Sequence, residues 1–216
     1  MLHLEALRGF YFLDRGDAQA MTTLGFIRHG TTEWNLAGRL QGQMDTPLAE
    51  VGRLQASLLA NRLTGEAWDG IIASDLMRAK ETAQLISSVT GTPIYDYDSR
   101  LRERAFGELE GTTLDDRIKR WGEAWRTLDL GMESDDRLLS RWGAFLSDVE
   151  DRYGGKRILI VSHGGFIAPV VASHMGQKIE EHLQNTSLTV LERCEDSWEC
   201  RLLNCTEHLS QLEDRA

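Results

Sequence analysis

Positive charge is scarce in this 216-residue chain, where 24 Lys and Arg face 34 Asp and Glu and leave a formal net charge of -10 at pH 7. Proteins that grip phosphate backbones do so with surplus Lys and Arg, so nucleic acid is excluded as a general partner. One local cluster of arginines would still suffice for a small phosphorylated molecule. Long apolar runs are missing as well. No stretch approaches the roughly 20 residues that cross a bilayer, and the opening segment, interrupted by Glu5, Arg8 and Asp14, has no signal-peptide core. A cytoplasmic chain with no membrane partner is the expectation. Cysteine is sparse: Cys194, Cys200 and Cys205 are odd in number and lack metal-ligand spacing, which points to reduced, structural thiols. Low-complexity segments and linkers are absent too, so residues 21–216 read as one domain. Residues 1–20 stand apart as an N-terminal extension, either poorly ordered or, through Leu7, Phe10, Tyr11 and Phe12, a docking arm.

What the chain does contain is a strand and helix alternation. Leu24-Gly25-Phe26-Ile27, Ile71 to Ser74, Ile94-Tyr95 and Ile158 to Ser162 are short apolar, largely β-branched runs. Thr46-Pro47 reads as a helix N-cap followed by proline at the first helical position. Leu48, Val51, Leu54, Leu58 and Leu59 continue at helical spacing to about Leu63. A second helix carries Leu76, Met77, Ala79, Ala83, Leu85, Ile86 and Val89, and Gly91-Thr92-Pro93 ends it. Such alternation implies parallel pairing with right-handed crossovers. The fold class is α/β, a three-layer sandwich around a mostly parallel, doubly wound sheet. Residues 112–155 interrupt the pattern as a helical insertion, a plausible lid. One stripe there is Ile118, Trp121, Trp125 and Leu128; another is Leu138, Trp142, Phe145, Leu146 and Val149. Their tryptophans suit either core packing or a pocket wall. Pro169, in the helix opened by Gly164-Gly165, should lie in the first turn or kink it. Ser187 to Glu192 and Trp198 to Leu203 close the chain as an antiparallel hairpin.

Each parallel run delivers an ionisable group just past its end: Arg28-His29, Arg78, Glu103 and His163. In an open α/β sheet the crevice outside the carboxyl ends of the strands is where ligands bind. A phosphoryl group in flight needs positioning and charge stabilisation. Arg28 and Arg78 supply fork-shaped donors for it, and the amides of Gly164 and Gly165 at a helix N-terminus add an anion site. One histidine must be neutral to attack phosphorus, a second, protonated, could assist, and Glu103 would move the proton of the leaving oxygen. Taken singly, the arginines suit surface ion pairs, Glu103 a solvated charge run, and His163 a helix cap. One phosphate pocket accounts for all of them together.

These residues stand in blocks that resemble the histidine phosphatase superfamily, also called phosphoglycerate mutase-like, over residues 24 to about 192. The blocks are Arg28 to Asn35 with Thr31 where glutamate is common, Gly38 to Gly42 with Asp45-Thr46-Pro47-Leu48, Ser74 to Ala79 with Glu81-Thr82-Ala83, Leu101 to Gly111, and Ser162 to Gly165. The resemblance implies a phosphoglycerate mutase-like fold and a phosphohistidine intermediate on His29. Arg28, Arg78 and His163 would hold the phosphate, and Glu103 would be the acid/base. Asn35, Gln41, Gly42 and the amide of Gly164 would be further substrate contacts, and the backbone of Asn185-Thr186-Ser187 would approach the phosphate. It implies no metal and no cofactor, and a small phosphomonoester as the partner of a monomer or homodimer. Mutases of the family carry a longer, proline-containing insertion, whereas residues 112–155 have no proline; that favours the phosphatase over the mutase. A non-catalytic phospho-ligand protein would be expected to have lost His29 or Glu103.

Overall fold

The first apolar run becomes β1 (Thr23–Arg28), buried along its whole length. The computed structural model describes residues 21–179, 181–195 and 197–210, so both readings of the 1–20 extension lie outside the described residues. The later runs form β2 (Gly70–Ala73), β3 (Ile94–Tyr97) and β4 (Arg157–Ser162), followed by β5 (Leu188–Cys194) and β6 (Ser197–Cys205). The sheet order is β3-β2-β4-β1-β5-β6. The first four of these are parallel, and β5 and β6 add antiparallel as the expected hairpin. Register matters here. Arg28 pairs with Ser162 and Ala73 with Val161, so β1, β4 and β2 end level and the residues that follow them emerge side by side.

A one-turn helix, α1 (Glu33–Leu36), follows β1, and Thr32 caps it through its hydroxyl. α2 (Glu50–Leu63) and α3 (Met77–Thr90) cover one face of the sheet, where Leu59, Leu63, Ala83 and Ile86 meet Ile27, Ile71, Leu159 and Val161. The other face takes α5 (Asp135–Tyr153) and α6 (Gly164–Met175), with α4 (Leu114–Trp121) ahead of them in the chain. There Leu138, Trp142, Phe145 and Phe166 meet Leu24, Phe26, Ile158 and Ile160. Alternate residues of β1 and β4 therefore feed opposite cores, the period-2 signature of a strand covered on both faces.

Three local expectations are corrected. α2 begins at Glu50, not at Thr46-Pro47, because the Thr46 hydroxyl donates to Gln41 and the Ala49 N–H to the Thr31 carbonyl. Residues 46–49 stay non-helical, tied to the loop after β1. Val51 and Leu54 are consequently exposed, and the buried face consists of Gly52, Ala56, Leu59, Ala60 and Leu63. Secondly, the Ile118 to Leu128 stripe is not one helix. Gly122 at φ +76° ends α4, and a 3₁₀ turn over Glu123–Thr127 then buries Trp125 against Leu109 and Leu130. The insertion thus divides, since α5 is a layer of the sandwich and only α4 and the 3₁₀ turn stand off the sheet. Thirdly, of the two places open to Pro169 the first turn is excluded, because it is the sixth residue of α6. Cys194, Cys200 and Cys205 are free thiols, and among the described residues no helix is long and apolar enough to cross a membrane.

Candidate active site

Where β1, β4 and β2 end, a cavity of about 540 Å³ opens, lined by Arg28, His29, Asn35, Gln41, Gly42, Arg78, Glu103 and Gly164. His163 lies beside it, fully buried, with its ring centroid 5.1 Å from that of His29. Arg28-His29, Arg78, Glu103 and His163, far apart in the sequence, are thus brought to one place.

His29 is held by its own backbone neighbour. Its Nδ1–H donates to the Gly30 carbonyl at 2.7 Å, which leaves the lone pair on Nε2, and the Arg78 Nε–H donates to that atom at 3.2 Å. Burial, reinforced by the Arg78 and Arg28 charges, pushes the imidazole well below its ordinary value of 6.5. At neutral pH it is an uncharged base with Nε2 free of its proton. The loop allows no side chain at Gly30, where a Cβ would stand 2.5 Å from the Gly52 carbonyl oxygen at the start of α2.

The arginines are not surface ion-pair partners. Arg78 has no exposed area and donates to the Gly42 and Met44 carbonyls at 2.8 Å each. Burial lowers it to about 10 against the pull of Glu103, so it stays a cation at neutral pH. Arg28 is also buried; it donates to His182 Nε2 at 2.9 Å and to the Leu183 carbonyl, and its Nε has no partner among the described residues. Glu103 accepts the Arg104 N–H at 2.8 Å and the Gly165 N–H at 3.1 Å. Gly164 and Gly165 both line the cavity, but the Gly165 amide is committed to the carboxylate, so the expected anion-binding pair is reduced to the Gly164 amide. Burial raises Glu103 above its ordinary value, with the Arg104 N–H, Arg78, the Gly165 N–H and Arg28 opposing.

His163 is the N-cap residue of α6, yet its side chain caps nothing. Its Nε2 lies 2.9 Å from the Ser74 hydroxyl, and its Nδ1 is buried without a partner among the described residues. Burial and the nearby Arg78 push it well below 6.5, which favours the neutral of the two states open to the second histidine.

The sequence pattern of the histidine phosphatase superfamily (branch 1) matches residues 24–206. The chain belongs to that superfamily. It is 34% identical over 193 residues to the uncharacterized phosphatase PhoE of Bacillus subtilis (strain 168), covering 88% of this chain and 98% of that protein. It is 36% identical over 191 residues to the probable phosphoglycerate mutase GpmB of Photorhabdus laumondii, covering 82% and 88%. Among solved structures, Bacillus stearothermophilus YhfR matches with a TM-score of 0.80 at 29% identity, covering 88% of this chain and all of that one. As a histidine phosphatase superfamily enzyme the chain shares its fold with phosphatase and mutase alike.

The rest of this histidine phosphatase cavity combines polar amides with apolar walls. Asn35 Oδ1 accepts the Thr32 N–H, and Gln41 Oε1 takes the Thr32 and Thr46 hydroxyls, so in these two cavity-lining residues the protein engages the amide oxygens. Leu40, Phe106, Ala168, Ile179 and Leu183 form apolar walls, with the exposed Arg39, Glu181 and His182 beside them. None of Trp121, Trp125 and Trp142 lines it; Trp142 packs between Phe26 and Phe145 and donates to His174. Asn185 and Thr186 act from behind, donating to the His29 and Arg28 carbonyls at 2.8 and 2.9 Å. The place of His182 in the cavity has no sequence signal beyond lying three residues before Asn185.

Proposed function

We propose that the chain is a metal-independent phosphomonoester hydrolase that acts on small phosphorylated metabolites through a phosphohistidine on His29. The observation that carries this reading is the fixed tautomer of His29, a neutral ring whose Nε2 keeps its lone pair and faces the buried Arg78 guanidinium. Arg28, Arg78 and His163 hold the phosphoryl oxygens while Nε2 attacks phosphorus. The bond to the leaving oxygen breaks as protonated Glu103 gives that oxygen its proton. Water then attacks the phosphohistidine, Glu103 takes back a proton, and phosphate leaves. Asn35, Gln41, Gly42 and Gly164 add substrate contacts. A cavity of about 540 Å³ exceeds what a phosphate needs, and its apolar walls favour an organic leaving group of moderate size.

Phosphoryl return to a second oxygen of the substrate, as in a mutase, is the alternative, since relatives of both names align over most of the chain. The proline-free 112–155 segment favours hydrolysis. A cytoplasmic setting agrees with three unpaired thiols.

The test is hydrolysis of an aryl phosphate by the purified chain with EDTA present, wild type against His29→Ala. Turnover that survives EDTA and disappears in the variant supports the reading, and acid-labile, base-stable phosphate trapped on His29 would identify the intermediate. A wild type that turns over no aryl or alkyl phosphate, yet isomerises a phosphoglycerate, puts the mutase first.

A further inference from the structure

Ser74 follows the last residue of β2, and its N–H donates to the Val161 carbonyl at 2.9 Å, which seats it beside the end of β4. It has no exposed area. Two groups reach its oxygen: the Leu76 N–H, a donor, at 3.3 Å, and His163 Nε2 at 2.9 Å. A serine hydroxyl carries one proton and must place it on an acceptor when buried. With Leu76 already donating, Nε2 is the acceptor within reach. A proton on Nε2 would aim two donors at one oxygen and leave the hydroxyl proton without either of these groups as an acceptor.

We infer that Ser74 is a positioning residue that fixes His163 as the Nδ1–H tautomer, so that His163 serves the phosphoryl group as a neutral donor through Nδ1. Nδ1 is the ring atom that engages nothing among the described residues, and Gly164, the next residue, lines the cavity. Burial of His163 among Arg78 and Arg28 supports its neutrality. The two histidines then divide the work by tautomer. His29 gives its Nδ1–H to Gly30 and keeps a lone pair for phosphorus; His163 receives at Nε2 and keeps a proton for a phosphoryl oxygen. Both settings are built before substrate arrives, which is the condition for electrostatic stabilisation without reorganisation. A neutral second histidine also leaves proton delivery to Glu103 alone. The inference rests on the phosphoryl-transfer reading of the cavity only for what Nδ1 donates to; the tautomer itself is independent of it.

Ring ¹⁵N spectra of the full-length protein with labelled histidine test it directly. His163 should show a protonated, pyrrole-type Nδ1 and a pyridine-type Nε2, and Ser74→Ala should lose that pattern. In the aryl phosphatase assay Ser74→Ala should lower kcat by about 10-fold or more, short of the ~10²–10³-fold loss of a whole oxyanion donor, with a smaller change in KM. His163→Asn, which keeps a donor near the Nδ1 position, should retain more activity than His163→Gln, whose donor sits near Nε2. If Ser74→Ala fails to fold, Ser74→Cys, a weaker donor, should show the same shift in part. A wild-type ring protonated on Nε2, singly or as imidazolium, overturns the inference, and so does a Ser74→Ala tautomer unchanged from wild type. A wild type inert toward every phosphomonoester would instead sink the hydrolase reading and leave the spectra to judge Ser74.

Discussion

Glu103 is the residue whose proton state sets the working pH. Its folded value is raised by burial, so the protonated acid persists above the ordinary carboxylate range and is lost as pH climbs through that raised value. His29 has the opposite displacement: the neutral nucleophile persists below 6.5 and is lost only as pH falls through its depressed value. The pH profile of kcat/KM should therefore be a bell with its maximum on the acid side of neutrality. Glu103→Gln should remove the alkaline limb. It should also cost an alkyl phosphate about 10²–10⁴-fold and an aryl phosphate much less, because a phenolate leaves without a proton. Equal losses on both substrates would take the acid role away from Glu103. Gly165 gives a second handle on the same carboxylate. A Cβ there would stand 2.7 Å from Glu103 Oε1 and 3.3 Å from Phe106, while alanine suits a helical first turn better than glycine by roughly 0.5–1 kcal/mol. Gly165→Ala should accordingly lower kcat while thermal denaturation finds the fold no less stable. At this scale the charged groups were legible because each stands just past an apolar run. The proton state of His163 was not, since it depends on burial and on Ser74, 89 positions away.

At the scale of elements, the segment that carries Glu103 has no regular structure beyond short 3₁₀ turns, and α5 holds it. Arg141 donates bidentately to Glu133 at 2.8 and 2.9 Å, donates to the carbonyls of Arg100 and Arg102, and lies over the Phe166 ring at 4.6 Å. Arg141→Met should cost about 2 kcal/mol through lost charged hydrogen bonds, a drop of about 4–8 °C in Tm for a chain of this length. Lysine should not rescue it, lacking the fork. If the segment positions Glu103, the variant should reproduce the alkyl-over-aryl loss of Glu103→Gln in milder form; a lower Tm with an unchanged substrate ratio would confine Arg141 to stability. The same contacts explain what the sequence left hidden. The sheet and its crossovers could be read from apolar runs because strands covered on both faces need them. The start of α2 could not, because Thr46 and Ala49 spend their hydrogen bonds on the loop after β1 instead of on a helix. The stripe from Ile118 to Leu128 has helical spacing, and one glycine at positive φ splits it.

For the whole molecule, a site built from neutral buried histidines makes the fold sensitive to acid. His29 and His163 are depressed well below 6.5 in the folded chain, whereas the unfolded chain takes up protons near the ordinary value. Stability is therefore full above about pH 6.5 and falls as pH drops toward the folded values, by about 1.4 kcal/mol per pH unit for each histidine. His208, lowered to about 4, acts in the same direction. Glu103, with its raised value, acts in the other and recovers stability as it is protonated, but one group does not offset three. Tm should fall steeply between pH 6.5 and 5 and stay nearly flat between pH 7 and 8. The catalytic optimum and the loss of stability thus share the same acid range, and an oxyanion in the cavity should separate them. Inorganic phosphate binds the arginines only when they are assembled, so at 100 times its Kd it should restore about 2.7 kcal/mol. His163→Asn should flatten the acid slope by about 1.4 kcal/mol per pH unit whether or not phosphate is present. A Tm that is level from pH 7 to 5 without ligand would mean that these histidines take up protons in the folded state, and the neutral pair at the heart of the site would have to be given up.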